Sequence, residues 1–141
     1  MKITPDFYLT EFVPKEIHDT FKDKSIWFID PKIPIICQKL RDIIGKPITI
    51  NNWHDGGTYN YSGFRTRSCN VGAENSQHRH GRAADLHIAG ITPEEVRQLI
   101  RDNFSELNKL GLTTIEKNTD TWTHVDVRCT NMNTLLEVPF Q

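Results

Sequence analysis

Ser76-Gln77-His78-Arg79-His80-Gly81-Arg82-Ala83-Ala84-Asp85 brings imidazoles, a glycine, two alanines and a carboxylate into ten residues. Gly81 permits a turn between His78 and Asp85. Ala83 and Ala84 leave room for close packing beside the carboxylate. A further imidazole, His124, lies in Trp122-Thr123-His124-Val125-Asp126-Val127-Arg128. Imidazole nitrogen and carboxylate oxygen are ordinary zinc ligands, and three protein ligands leave a fourth position for water. Zinc lowers the pKa of such a water toward neutrality. Two imidazoles with one carboxylate suit zinc among the divalent ions. The His-x6-Asp spacing belongs to neither a helix nor a strand. Spacing alone therefore leaves two readings open: metal ligands, or loop histidines with Asp85 capping a turn.

The flanking sequence supplies the frame. Ala83 to Ile88 reads as a short buried strand. Upstream, residues 6 to 18 mix Phe7, Tyr8, Leu9, Phe12 and Val13 with turn formers, as a segment packed onto the body does. Asp30-Pro31 is a helix start, with a capping acid and a proline at the first helical position. Ile33, Ile36, Cys37, Leu40, Ile43 and Ile44 follow at helical spacing, and Gly45 and Pro47 stop the helix. Ile48-Thr49-Ile50-Asn51 alternates like a strand. Trp53 to Ser76 is rich in Gly, Asn, Ser and aromatic residues, and a loop of that length in a compact domain is usually functional. Downstream, Thr92-Pro93-Glu94-Glu95 is a capping box opening one helix with Val96, Leu99, Ile100, Phe104 and Leu107 on a face, closed by Gly111. Leu112 to Glu116 and Trp122 to Arg128 read as a hairpin around a polar turn at Lys117 to Thr121. Helices and strands are mixed without a strand-helix repeat, which gives an α+β fold: a small antiparallel sheet packed with helices. No linker or internal repeat divides the chain, so residues 1–141 read as one domain.

Bulk properties exclude several function classes. A 37% hydrophobic and 25% charged chain is globular rather than disordered. The formal net charge of -1 lacks the basic excess of a nucleic-acid binder and gives no reason to dock on an anionic membrane. Three widely spaced cysteines, with no Cys-x-x-Cys pair, make neither a disulfide framework nor a thiolate zinc site. Met1 to Asp6 has no apolar signal core, so synthesis in the cytoplasm without a signal peptide is expected. Action at a cell wall would then require release, or carriage by a phage. A monomer is expected.

Ser76 to Asp85 fits the pattern Ser-x-His-x-x-Gly-x-Ala-x-Asp. That pattern resembles the zinc D-Ala-D-Ala carboxypeptidase and L-alanyl-D-glutamate endopeptidase family, which shares its fold with the Hedgehog signalling domain. Ser62-Gly63-Phe64-Arg65-Thr66 is similar to the family's Ser-Gly-Tyr-Arg-Ser stretch, and Trp122-Thr123-His124-Val125-Asp126 to its final His-x-Asp strand. The lead-in Leu40 to Ile50 also fits, and Leu9-Thr10-Glu11-Phe12 looks like that of small phage-type members. The resemblance spans most of the chain. It implies a Hedgehog/DD-peptidase-like fold with Zn2+ in a cleft, held by His78, Asp85 and His124. It also implies hydrolysis of peptide bonds in peptidoglycan stem peptides, as a carboxypeptidase or an endopeptidase. Arg65 takes the place of the family arginine, whose guanidinium can hold a substrate carboxylate or steady an oxyanion. Ser76 and Tyr61 join Arg65 as the expected substrate-binding residues.

Many members carry an acid three residues before the last histidine, as general base. Here that residue is Thr121. Three acids could replace it, Glu116, Asp120 and Asp126, with Glu116 or Asp120 preferred. Asp126 reads as a partner of His124 or as a plain salt bridge. Trp53, Tyr59 and Tyr61, in a segment the simplest family pattern lacks, either wall the cleft or cover the core. His87 reads as a hydrogen-bonded histidine at the core edge and His80 as exposed. Thr121 keeps a second function open, a zinc-containing non-catalytic wall-binding or phage structural module.

Overall fold

The computed structural model describes residues 1–140. Four α-helices, α1 (Lys15–Phe21), α2 (Lys32–Ile44), α3 (Pro93–Asp102) and α4 (Phe104–Lys109), accompany four strands, β1 (Ala83–Leu86), β2 (Thr114–Glu116), β3 (Thr123–Asp126) and β4 (Leu136–Val138). Short 3-10 turns cover Leu9–Glu11, Lys22–Phe28, Trp53–Asp55 and Gln77–His80. The fold is α+β, with one four-stranded sheet in the order β1-β3-β2-β4.

Helix α2 begins as its sequence dictates. Asp30 Oδ1 accepts the Lys32 N–H at 3.0 Å, beside Pro31 in helical conformation. Gly45 ends the helix at φ 71°, a left-handed backbone that glycine adopts without cost. Ile33, Ile36, Cys37 and Leu40 are buried against Phe7, Leu9, Phe12 and Val13 of the N-terminal segment. At about 25 cal/mol per Å² of apolar surface, this cluster is the main source of stability. The Thr92 hydroxyl caps α3 by accepting the Glu95 N–H at 3.1 Å. Continuous helix through Leu107 does not form. Asn103 leaves helical geometry at ψ 17° and its side chain donates to the Leu99 carbonyl at 2.8 Å, which separates α3 from α4.

The sheet aligns the two sequence motifs. β1 and β3 run antiparallel with Asp85 opposite His124, and β2 joins β3 antiparallel as the hairpin pattern requires. The sheet is mixed rather than wholly antiparallel, because β4 pairs β2 in parallel. Ile48 to Asn51 contributes one bridge instead of a strand. Thr49 exchanges both backbone hydrogen bonds with His87, at 2.9 and 2.8 Å, and then the Asn51 N–H turns to the Glu11 carbonyl. Among the described residues, no helix is long and apolar enough to cross a membrane.

Candidate functional site

His78 sits in the 3-10 turn Gln77–His80. Ser76 opens the turn, its hydroxyl accepting the His78 N–H at 3.3 Å. Gly81 closes it at φ 67°, where a Cβ would lie 2.0 Å from the Phe28 carbonyl oxygen. Only glycine fits that position, so the turn delivers His78 to the start of β1 and Asp85. All three expected ligand residues are buried: His78 2%, Asp85 8% and His124 4% exposed. One ligand atom from each lies within 4.8 Å of the others, so the group could hold a metal ion.

Which atoms face inward is set by their neighbours. His78 Nδ1 lies 2.8 Å from the Gly63 carbonyl, so it carries the proton and leaves Nε2 toward Asp85 Oδ1 at 3.2 Å. His124 Nε2 lies 2.8 Å from Asp126 Oδ2, which leaves Nδ1 toward Asp85 Oδ1 at 3.0 Å and Glu116 Oε1 at 3.3 Å. Asp85 Oδ2 is occupied by Arg65 Nη2 at 3.2 Å. Hydrogen bonds from the outer side thus orient all three inner donors, as metal ligands require.

The electrostatics ask for a cation in the middle. Burial alone would raise the Asp85 pKa, but His78 and His124 hold it well below the carboxylate range. Burial works against charge on His124, yet Asp126 and Asp85 push its pKa up to about 10. A proton between these groups does what a divalent ion does better, and the donor set of two imidazoles and a carboxylate fits zinc. Burial raises the Glu116 carboxyl, opposed by His124 and His78. Burial also works to raise Asp126, but its hydrogen bonds to His124 and Arg128 lower it.

A cavity of about 590 Å³ opens over this group. Arg65, Ser76, His78, Asp85, Glu116 and His124 all line it, so most of the expected site residues converge. Asp120 does not; it lies exposed in the β2–β3 turn. Asp126, fully buried, faces His124 and Arg128 instead. Tyr61 also stays outside the cavity wall. Its hydroxyl donates to Glu16 at 3.1 Å, and its carbonyl accepts Arg65 Nε at 2.7 Å, so its part is to hold Arg65. Trp53 donates to the Val13 carbonyl at 2.9 Å, and Tyr59 stacks on His87 at 3.8 Å between ring centroids. Those aromatics cover the body. His87 is hydrogen-bonded to Ser62 at 3.0 Å and His80 is exposed, both as read.

The cavity wall contains groups that sequence reading missed. Trp122 and Phe140 meet edge to face at 5.0 Å and line it, with Val138 and Pro139 beside them. Val71 to Ala73 form another part, with Gly72 against Arg65 Nη1. Arg128 also lines the cavity. Its signal was available, since residues 122, 124, 126 and 128 fall on one face of a strand. Phe140 had none.

No curated protein and no solved structure shows significant similarity to the chain. The model of the Peptidase M15 family, however, matches residues 10–126, a span that contains Arg65, His78, Asp85 and His124 in the expected order. The chain therefore belongs to Peptidase M15, the zinc D-Ala-D-Ala carboxypeptidase family.

Proposed function

We propose that this chain, acting as a single domain, is a zinc-dependent peptidase that hydrolyses a peptide bond in peptidoglycan stem peptides. The observation that carries this reading is the convergence on one cavity of His78 Nε2, His124 Nδ1 and Asp85 Oδ1, with Glu116 Oε1 3.3 Å from the same His124 nitrogen. Those three side chains would hold the ion. Bound there, zinc supplies a Lewis acid that polarises a carbonyl and acidifies water.

The remaining chemistry belongs to the chain. Glu116 is the general base: its Oε1 takes the proton of the attacking water and returns it to the leaving amine. Burial favours a carboxylate that accepts protons readily, which suits that work. Glu116 thereby replaces the acid that Thr121 lacks, and its place at the cavity argues against a merely structural metal. Arg65 has two tasks. Nη2 fixes the Asp85 carboxylate, and Nη1, which donates to no partner among the described residues, can donate to a substrate oxygen as negative charge develops. Ser76 braces His78 by its cap. Carboxypeptidase and endopeptidase cleavage would use the same groups.

Digestion of purified peptidoglycan, read by mass spectrometry with a His124→Ala control, tests the reading. New stem-peptide fragments absent from the control are expected. Intact wall after incubation with protein carrying one zinc per chain would refute peptidase action.

A further inference from the structure

Arg128 is a second guanidinium in the cavity wall, and peptide-bond hydrolysis as described leaves it without a task. It is held firmly. Nε donates to Asp126 Oδ1 at 2.9 Å and Nη2 to Oδ2 at 2.5 Å. Its backbone N–H reaches Oδ1 at 3.1 Å, and its carbonyl accepts the Thr113 hydroxyl at 2.6 Å. The side chain nevertheless stays 31% exposed toward solvent. Among the described residues, Nη1 donates to no partner. Arg65 is built alike, with Nε on the Tyr61 carbonyl, Nη2 on Asp85, and Nη1 without a hydrogen-bond partner among the described residues.

A chain of contacts therefore runs Arg65–Asp85–His124–Asp126–Arg128, with a cationic donor at each end. An ion pair with Asp126 explains why Arg128 is fixed; it does not explain an open Nη1 beside the cavity. The charge count points outward too. Asp85, Asp126 and Glu116 carry three negative charges and the two arginines two positive ones. A divalent ion brings the sum to plus one, so the loaded site attracts an anion. Trp122 precedes β3 and Arg128 follows it, and both line the same cavity as His124. A peptide lying in that cavity would have the Trp122–Phe140 pair and Arg128 to meet beside the His78, Asp85 and His124 group.

We propose that Arg128 is a specificity residue that pairs with a second carboxylate of the peptide, distinct from the group met by Arg65. The substrate class is then a peptide with a free carboxylate on the Arg128 side of the scissile bond. Its carboxamide counterpart is disfavoured, because it carries no negative charge to pair with the guanidinium and only its carbonyl oxygen, not its NH2, can accept a hydrogen bond. A guanidinium already fixed by Asp126 loses little freedom when it binds. The identity of the peptide rests on the peptidase reading; the carboxylate preference is measurable by binding alone.

The test uses the zinc-loaded chain and a synthetic stem peptide with every carboxylate free, beside versions amidated at one position each. Calorimetry gives the affinities and mass spectrometry the cleavage rates. Wild type should bind the free form at least about tenfold more tightly than one singly amidated version. Arg128→Gln should bind that pair equally, while keeping any preference at the carboxylate met by Arg65. A ratio of affinities is insensitive to a uniform loss of activity caused by loosening Asp126. Should Arg128→Gln unfold, Arg128→Lys keeps the charge without the fork and should retain a reduced preference. Equal binding of all peptides by wild type, or an undiminished preference in either variant, would overturn the proposal. Carboxylate preference without any cleavage would overturn the peptidase reading alone. Cleavage of free and amidated peptides at equal kcat/KM would overturn the Arg128 proposal alone.

Discussion

His124 Nε2 and Asp126 Oδ2 lie 2.8 Å apart, two residues along the same strand. That contact decides which imidazole nitrogen meets Asp85 and Glu116. It also ties the ring to Arg128, which grips both oxygens of the same carboxylate. Asp126→Asn keeps the shape and removes the charge. Zinc affinity should fall about 10- to 100-fold, the usual effect of losing such an outer partner. Competition against a chelator measures it, and an unchanged affinity would show that Asp126 is only a salt bridge.

Glu116 and Asp120 should separate cleanly. Glu116→Gln is expected to cut kcat by about 10²- to 10⁴-fold, the range a general base contributes, with one zinc still bound. Asp120→Asn, in the exposed turn, should leave kcat within about twofold, since surface changes away from a site are mostly neutral. Metal content by atomic absorption, taken beside the rates, checks both. The reverse pattern would move the base to Asp120.

Two glycines with similar backbone angles should respond differently. Gly45 has φ 71° and open space around a built Cβ; Gly81 has φ 67° and a Cβ 2.0 Å from the Phe28 carbonyl. Gly45→Ala should cost about 1 kcal/mol, the left-handed penalty alone. Gly81→Ala should cost about 3 kcal/mol, since backbone must also move, and it should weaken zinc binding by displacing His78. Urea denaturation compares the two. Equal losses would mean that the close approach at Gly81 relaxes freely.

Glu11 gives a pH dependence remote from the site. Burial pushes its carboxyl from 4.5 up to about 7, against the Tyr8 N–H, which lowers it, and with help from Asp55. The folded chain therefore holds this proton more tightly than the unfolded chain. The resulting stability is complete below pH 4.5, declines as pH rises through about 7, and is absent above. Glu11→Gln should remove that decline, so the gap between mutant and wild-type melting temperatures should change between pH 5 and pH 8. Parallel curves would contradict the shifted carboxyl.

His78, Asp85, His124 and Arg65 were singled out through the resemblance of their motifs, since spacing alone left two readings open; the turn that carries His78 toward Asp85 was itself legible, from a cap at Ser76, a glycine at 81 and a strand from Ala83. The β2–β3 hairpin was legible through alternation. What the sequence left open or hid depends on distant partners. Aromatic rings in a loop carry no direction, and Trp53, Tyr59 and Tyr61 take theirs from Val13, His87 and Glu16. Asn103 interrupts a helix whose apolar spacing continues unbroken, because its own side chain captures the Leu99 carbonyl. Strand β4 is three residues long, too short for a period, and its parallel partner lies 22 positions earlier.

The cross-strand pairing of Asp85 with His124 joins positions 39 residues apart. No contiguous fragment shorter than His78 to His124 contains the full donor set. The chain must close the loop, at an entropy cost, before three donors converge. Metal uptake should therefore lag behind folding, in contrast to zinc fingers, where the ion organises a short peptide. An ion that binds only the finished fold raises its stability by mass action, by about 2.7 kcal/mol at a hundred times Kd. Zinc release thus becomes a probe of opening between β1 and β3, and its rate a clock for the life of the native sheet.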